Sequence, residues 1–354
     1  MKMKIAITGT GSYLPKRITK NDDFLSHSFL NTDGTSIEHS NSVIIEKFKA
    51  ITGIEERRYA EPELKTSDLG YLASERAIED AQIDRENIDY IIFAHNFGDL
   101  SEGKTQGDTL PSLATRVKHL LKIKNTSCVA YDMIFGCPGW VEGVIQAYAF
   151  IKSGMANTCL VIGGETLSRI VDPHDRDSMI YADGAGASII EKVEDGGEIL
   201  AHASQTHANG EAYHLFFGES YDPTDESDVR YIKMNGRKIY EFACLNVPKA
   251  MKACLDKSGV AIDSVKKIFI HQANEKMDEA IVQRFYKLYK KEMPDGIMPM
   301  MIQETGNSSV ATIPTLFDRV KRGEYDGHSV QKGDVVLFAS VGAGMNINCI
   351  VYKV

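Results

Sequence analysis

The sequence predicts a duplicated α/β fold, and three observations carry that prediction. Short apolar runs of strand character alternate with stretches of helical apolar spacing along the whole chain, the pattern of sheets covered by helices. At 354 residues, 43% hydrophobic and 25% charged, the chain is ordinary for a globular protein and long enough for two core-sized units. Three local patterns also recur in the same order in both halves. The run 90–95 is echoed at 267–271. Gly136-Cys137 opens a stretch that closes at 152–154, as Gly306-Asn307 opens one that closes at 321–323. Asp183-Gly184-Ala185-Gly186 precedes a strand, as does Val341-Gly342-Ala343-Gly344. A duplicated unit is the simplest account, against chance similarity among Gly-rich turns.

The elements follow in order. Residues 4–8 read as a strand and Gly9-Thr10-Gly11 as the turn after it, whereas 20–42 are polar, mixed and read as irregular. Leu69, Leu72, Ala73 and Ala77 mark one face of a helix. Residues 88–94 read as a buried strand, 96–107 as a Gly-rich polar surface loop, and 111–121 as a helix leading into a strand at 128–133. A strand at 158–162 is closed by Gly163-Gly164, and Gly184-Ala185-Gly186 opens the strand 187–191. The second half restarts with a strand at 198–206, an irregular polar segment at 207–230, and a helix over 238–257 interrupted or bent near Pro248. A short strand at 268–270 ends at His271, a helix covers 276–289, and strands at 335–339 and 346–352 flank Gly342-Ala343-Gly344.

The stretch 130–140 is the chemical centre of this pattern. An apolar run stops at Gly136, Cys137 sits where a helix should begin, and Pro138 suits the first helical position, where its missing N–H costs nothing. Val141, Val144, Ile145, Tyr148 and Ile151 repeat at helical spacing, and Gly154 supplies the stop. Cys137 therefore reads as a thiol at the positive end of a helix, which favours a thiolate; the alternative is a small buried hydrophobe. If the halves are related by a pseudo-two-fold axis, Cys137, His271 and Asn307 converge. A thiolate nucleophile with two hydrogen-bond donors for a developing enolate is a coherent set. Taken singly, His271 could be a core histidine and Asn307 a helix cap.

Composition excludes several classes. A formal net charge of -9 argues against nucleic acid as a partner. Cys128, Cys137, Cys159, Cys244, Cys254 and Cys349 are scattered without a CxxC pair, which suits reduced thiols in a cytoplasm better than disulfides or a zinc site. The apolar run 5–7 is too short for a signal peptide, and no apolar run approaches a membrane span.

Several motifs in fixed order then suggest a family. They are Thr-Gly-Ile-Glu-Glu-Arg-Arg at 52–58, Gly136-Cys137-Pro138-Gly139, Asp-Pro-His-Asp-Arg at 172–176, Asp-Gly-Ala-Gly-Ala at 183–187, His-Gln-Ala-Asn at 271–274 and Gly-Asn-Ser-Ser at 306–309. With them the chain resembles, from its first strand to its C-terminus, the β-ketoacyl-acyl carrier protein synthase III enzymes of the thiolase fold. The resemblance implies a five-layer αβαβα core built from two halves, residues 1–194 with the nucleophilic cysteine and residues 195–354 with the histidine and asparagine. It implies a cytoplasmic, homodimeric acyltransferase of fatty acid biosynthesis that needs no metal or redox cofactor. Cys137 would attack an acyl thioester, and a decarboxylative Claisen condensation with a malonyl-acyl carrier protein would follow, with His271 and Asn307 stabilising the enolate. The oxyanion hole would combine the Cys137 N–H with one from Gly342, Ala343 and Gly344. Arg176, Asn274, Lys276 and Val341 are implied in substrate or carrier binding, and Leu110 would reach the partner subunit's acyl pocket.

The chain also departs from the family pattern. Lys47 and Ile51 stand where a Trp and an Arg often sandwich the coenzyme A adenine, Val341 replaces a common phenylalanine, and Pro138 replaces a small residue. The expectation is therefore an acyl donor longer than acetyl, presented by acyl carrier protein. The alternative is a coenzyme A thioester held by Arg176 and other residues. Alternatives for the whole chain are a specialised ketosynthase of resorcinol, quinolone or polyene biosynthesis, or a cysteine thioesterase or hydrolase.

Overall fold

The computed structural model describes residues 3–325 and 327–354. The first half opens with β1 (Lys4–Tyr13), the small ribbon β2 (Arg17–Lys20), α1 (Asn41–Thr52), β3 (Glu56–Tyr59) and α2 (Thr66–Ala81). It continues with β4 (Tyr90–Ala94), α3 (Leu113–Leu120), β5 (Val129–Met133), α4 (Gly139–Ser153), β6 (Thr158–Thr166) and β7 (Asp183–Val193). The second half runs through β8 (Glu198–Thr206), β9 (Leu215–Gly218), β10 (Tyr231–Met234), α5 (Gly236–Ser258), β11 (Val265–Ile270) and α6 (Glu275–Lys287). The chain finishes with α7 (Ile302–Thr305), α8 (Thr312–Lys321), β12 (Val335–Gly342) and β13 (Asn346–Lys353).

Two sheets organise these elements, in the orders β1-β7-β6-β4-β5 and β11-β12-β13-β8. In the first, β4 runs parallel to β5 and β6, while β7 is antiparallel to β6 and to β1. In the second, β11 is parallel to β12, and β13 is antiparallel to β12 and to β8. The two sequences of orientation match strand for strand. Even the place of β5 has an echo, because the Ile268 N–H donates to the Ile297 carbonyl at 2.8 Å along the free side of β11.

Apolar side chains decide the layering. Leu69, Ala73 and Ala77 of α2 and Val117 of α3 pack on the outer face of the first sheet. Val247, Met251 and Leu255 of α5 and Ile281 and Phe285 of α6 do the same on the second. Between the sheets lie α4 and α8, with Trp140, Val144, Leu316 and Phe317 meeting Phe269 and Phe338 in one core. This is the five-layer αβαβα arrangement. A fourth cluster, from Ile44 and Phe48 of α1 to Leu167, Ile180 and Tyr181, forms a side wall.

The structure corrects several expected boundaries. Gly9 and Gly11 do not end β1, which continues to Tyr13, because they let α2 lie directly on the strand. A Cβ at either position would stand 2.3 Å from a carbonyl oxygen of that helix. For the same reason β6 passes through Gly163-Gly164, where a Cβ at 163 would meet the Val310 carbonyl at 2.5 Å. Helix α5 continues through Pro248 without a break. The polar stretch 20–42 runs into an unexpected helix, α1, and 207–230 contains β9, which pairs with β10 as a hairpin.

Candidate active site

The turn between β5 and α4 holds Cys137. Gly136 takes φ +67°, a conformation L side chains rarely adopt, and the Gly139 N–H closes the turn on the Gly136 carbonyl at 3.0 Å. Helix α4 begins at Gly139, so Pro138 is its cap residue, one position earlier than expected. The turn between β12 and β13 packs against this backbone. A Cβ on Gly342 would lie 2.5 Å from the Cys137 nitrogen, and one on Gly136 would lie 2.7 Å from the Ala343 nitrogen. Cys137 lines a cavity of about 310 Å³ together with His271, Asn307, Val341, Gly342 and Ala343. Desolvation pushes its thiol up to about 11, opposed by the Ser309 hydroxyl, which donates to Sγ at 3.3 Å. The N-terminal end of α4 also favours the thiolate.

His271 follows the last residue of β11 and is held by its N–H on the Ala339 carbonyl at 2.9 Å. Gln272 anchors the next turn, donating to Pro299 O at 2.8 Å and accepting from the Met301 N–H at 2.9 Å. The buried imidazole meets the Thr312 hydroxyl through Nδ1 at 2.7 Å. Desolvation pushes its pKa down to about 3, so the ring is neutral across the physiological range. Asn307 is fixed by its backbone, N–H to Ile180 O at 2.9 Å and carbonyl from the Ala182 N–H at 2.9 Å. Its Oδ1 accepts from the Ser309 N–H at 2.8 Å, which leaves the amide nitrogen as the donor. Asn307 does not open α8 directly, as the echo suggested. A short 3-10 turn, Ser309–Ala311, intervenes, and α8 starts at Thr312.

The remaining expected residues divide between two cavities and the surface. Val341 is on the wall near Cys137, and Gly344 only turns the chain, with φ +75°. Arg176 lines a second cavity of about 470 Å³, beside Lys47, Ile51 and Asn274. The two cavities share Ile180, Met234, Gly236, Tyr240 and Asn274 and so adjoin along that wall. Asn274 also caps α6, accepting from the Met277 N–H at 3.1 Å. Lys276 is exposed on the first turn of α6 and lines neither cavity. Leu110 is 87% exposed and does not reach the cavity of its own chain.

Sequence reasoning missed the polar surroundings. Ser309 contacts all three expected residues, directly for Cys137 and Asn307, and through Thr312, whose hydroxyl lies 3.0 Å from the Ser309 carbonyl, for His271. It does so at φ +51°, an uncommon conformation for a residue with a side chain. Behind it lie Asn96 and the buried carboxyl of Glu165. The apolar far wall, with Phe216 and Phe217 from β9, Ile232 from β10 and Ile239 from α5, was equally unforeseen.

Two duplicated α/β halves with a cavity at their seam define the thiolase fold of condensing enzymes. Family models for 3-oxoacyl-[acyl-carrier-protein] synthase III match residues 131–210 and, for the C-terminal part, residues 255–354. Synthase III proteins of the same description from Erythrobacter litoralis and Vibrio vulnificus are 32% and 33% identical, over 97% and 96% of both chains respectively. The crystal structure of the Aquifex aeolicus synthase III superimposes over 100% of both chains with a TM-score of 0.81 at 29% identity. That of Thermus thermophilus matches over 99% of each with a TM-score of 0.81 at 28% identity. The chain belongs to the β-ketoacyl-acyl carrier protein synthase III family and is an acyltransferase of the condensing type.

Proposed function

We propose that this enzyme condenses an acyl group, carried as a thioester on Cys137, with malonyl-acyl carrier protein in fatty acid biosynthesis. The observation that carries the reading is the convergence of Cys137, His271 and Asn307 on one cavity from the two halves. The Cys137 thiolate attacks the acyl thioester carbonyl, and the donor thiol leaves with a proton. The malonyl thioester then loses carbon dioxide, and the electron pair left behind forms an enolate. Asn307 donates through Nδ2. Nδ1 of His271 faces the Thr312 hydroxyl at 2.7 Å, and with that hydroxyl as the donor the ring proton lies on Nε2 and meets the enolate oxygen. The α-carbon attacks the acyl-enzyme, and the N–H groups of Cys137 and Ala343 hold the tetrahedral oxyanion. Expulsion of the Cys137 thiolate gives 3-oxoacyl-carrier protein. These steps call on no metal and no redox group.

The donor enters past Arg176 and Asn274, and Lys276 faces the acidic carrier. Lys47 and Ile51 offer no aromatic stack to an adenine, and the apolar wall beyond Val341 suits a chain longer than acetyl. The working unit is a homodimer. Strand β5 is a free edge of its sheet, Val129 on it and Ile134 just after it are exposed, and Leu110 nearby is offered to the partner's cavity. Six free thiols fit a cytoplasmic setting, and among the described residues no helix is long and apolar enough to cross a membrane. The full-length relatives bear the synthase name, which favours condensation over thioester hydrolysis or a specialised pathway.

The test is intact mass analysis after incubation with a panel of acyl-coenzyme A and acyl-carrier thioesters, followed by malonyl-acyl carrier protein. An acyl adduct on Cys137 that turns over to a 3-oxoacyl product only with malonyl carrier supports the reading. Release of free acid without malonyl dependence refutes it.

A further inference from the structure

The Cys137 sulfur lies at the end of a line of hydrogen bonds that starts on a buried carboxylic acid. Asn96 follows β4, Glu165 sits near the end of β6, and Ser309 lies in the turn before α8. Nδ2 of Asn96 lies 2.5 Å from Oε1 of Glu165 and 3.2 Å from Oγ of Ser309, and that hydroxyl lies 3.3 Å from Sγ of Cys137. Glu165 also accepts from the backbone N–H of Asn96, so the carboxyl grips this residue at two points.

Proton counting gives the line a direction. An amide nitrogen only donates, so the Ser309 oxygen accepts from Asn96, and its single proton is left for the sulfur. Reversal of the Asn96 amide would put its oxygen opposite Ser309, and the hydroxyl would turn to that oxygen instead. An acceptor at Glu165 prevents the reversal. We propose that Glu165, Asn96 and Ser309 are positioning residues that aim one hydroxyl proton at the Cys137 sulfur and so stabilise its thiolate. The proposal rests on Cys137 as the nucleophile of the condensation. A hydrogen bond donated to an ionised group is stronger than one between neutral groups, so this proton favours the thiolate over the thiol against the desolvation that opposes it. Burial pushes the Glu165 carboxyl up to about 8, with the nearby Asp183 adding to the rise, and once ionised its charge opposes the Cys137 thiolate, so its part in the line is to hold Asn96. Asp183 itself is occupied by the N–H groups of Ala60 and Ser168 and by the Ser168 hydroxyl.

The experiment is the rate of iodoacetamide alkylation of Cys137, read by peptide mass as a function of pH. Ser309→Ala and Ser309→Gly remove the hydroxyl, the second without strain at a positive φ. Both should raise the apparent thiol pKa by about one unit, a tenfold loss of thiolate at neutral pH. Asn96→Ala should do the same, whereas Glu165→Gln, which still offers an oxygen to Asn96, should stay within about threefold of the parent rate while Glu165→Ala does not. An unchanged pH profile in folded Ser309→Gly and Asn96→Ala proteins overturns the proposal. If the profile shifts as expected but no acyl-enzyme forms with any thioester, the positioning line stands and the condensation reading falls. If acyl-enzyme forms and the profile does not move, the reverse holds.

Discussion

Replacing His271 by alanine separates a hydrogen-bond role from an acid role. The imidazole is buried, and burial pushes its pKa down to about 3. It is therefore neutral from pH 5 to 9, and in the mechanism proposed above its contribution to decarboxylation is a fixed N–H at Nε2. Loss of one such donor typically costs 100- to 1000-fold, or about 2.7–4 kcal/mol of transition-state stabilisation. The fold should tolerate the change, because the Thr312 hydroxyl left behind lies 3.0 Å from the Ser309 carbonyl and keeps an acceptor. The assay is carbon dioxide release from malonyl-acyl carrier protein between pH 5 and 9, beside acylation of Cys137 by a thioester. His271→Ala should lose at least about 100-fold in the first and retain measurable acylation in the second. The parent enzyme should show no inflection near pH 6.5 that the substitution abolishes. Such an inflection would mean that an imidazolium acts, and unchanged decarboxylation would remove His271 from the reaction altogether.

Other expectations follow from the same geometry. Gly342→Ala places a Cβ 2.5 Å from the Cys137 nitrogen, so acyl-enzyme formation should fall by at least about tenfold while the other cysteines keep their alkylation rates. Phe338→Ala opens a void in the central layer, where its ring centroid lies 5.0 Å from Phe317 and 5.6 Å from Trp140. Chemical denaturation should show a loss of about 3–5 kcal/mol, and a loss below 1 kcal/mol would contradict the packing described. Cys137 should be acylated faster by octanoyl-carrier protein than by acetyl-coenzyme A, and a clear preference for acetyl-coenzyme A would show that Arg176 and its neighbours rebuild a coenzyme A site.

What could be read from the sequence was local in origin. The turn at Gly136-Cys137-Pro138 advertises itself because a strand end, a helix start and helical apolar spacing adjoin within a few residues. Strand β8 falls where its composition places it, at Glu198–Thr206. What escaped depends on contacts across the fold. Gly9 and Gly11 look like turn residues until the carbonyls of α2 are seen beside them. Helix α1 begins where the polar stretch 20–42 ends, and its signal is thin because only Ile44, Ile45, Phe48 and Thr52 are buried. The hairpin of β9 and β10 is only four residue pairs long, and its apolar residues line the cavity rather than a continuous core. Asn96 joins Glu165 and Ser309 across 69 and 213 residues of chain, and no spacing rule spans such distances.

The central pair of helices bears on how the chain comes to be made. Helix α8 is buried along most of its length and α4 over its first three turns, both against residues from the two halves. When the first half leaves the ribosome, Trp140, Val144 and Ile145 can meet Ile92 and Val161 of their own sheet, but the side of α4 turned to the second half stays uncovered until α8, β12 and β13 have been synthesised. The closing contact ties both termini together, as the Tyr352 hydroxyl of β13 bonds to the N–H and carbonyl of Ile7 in β1 at 3.1 and 3.2 Å. Truncation before β13 should therefore yield an insoluble product that chaperones retain, rather than a folded N-terminal half awaiting its partner.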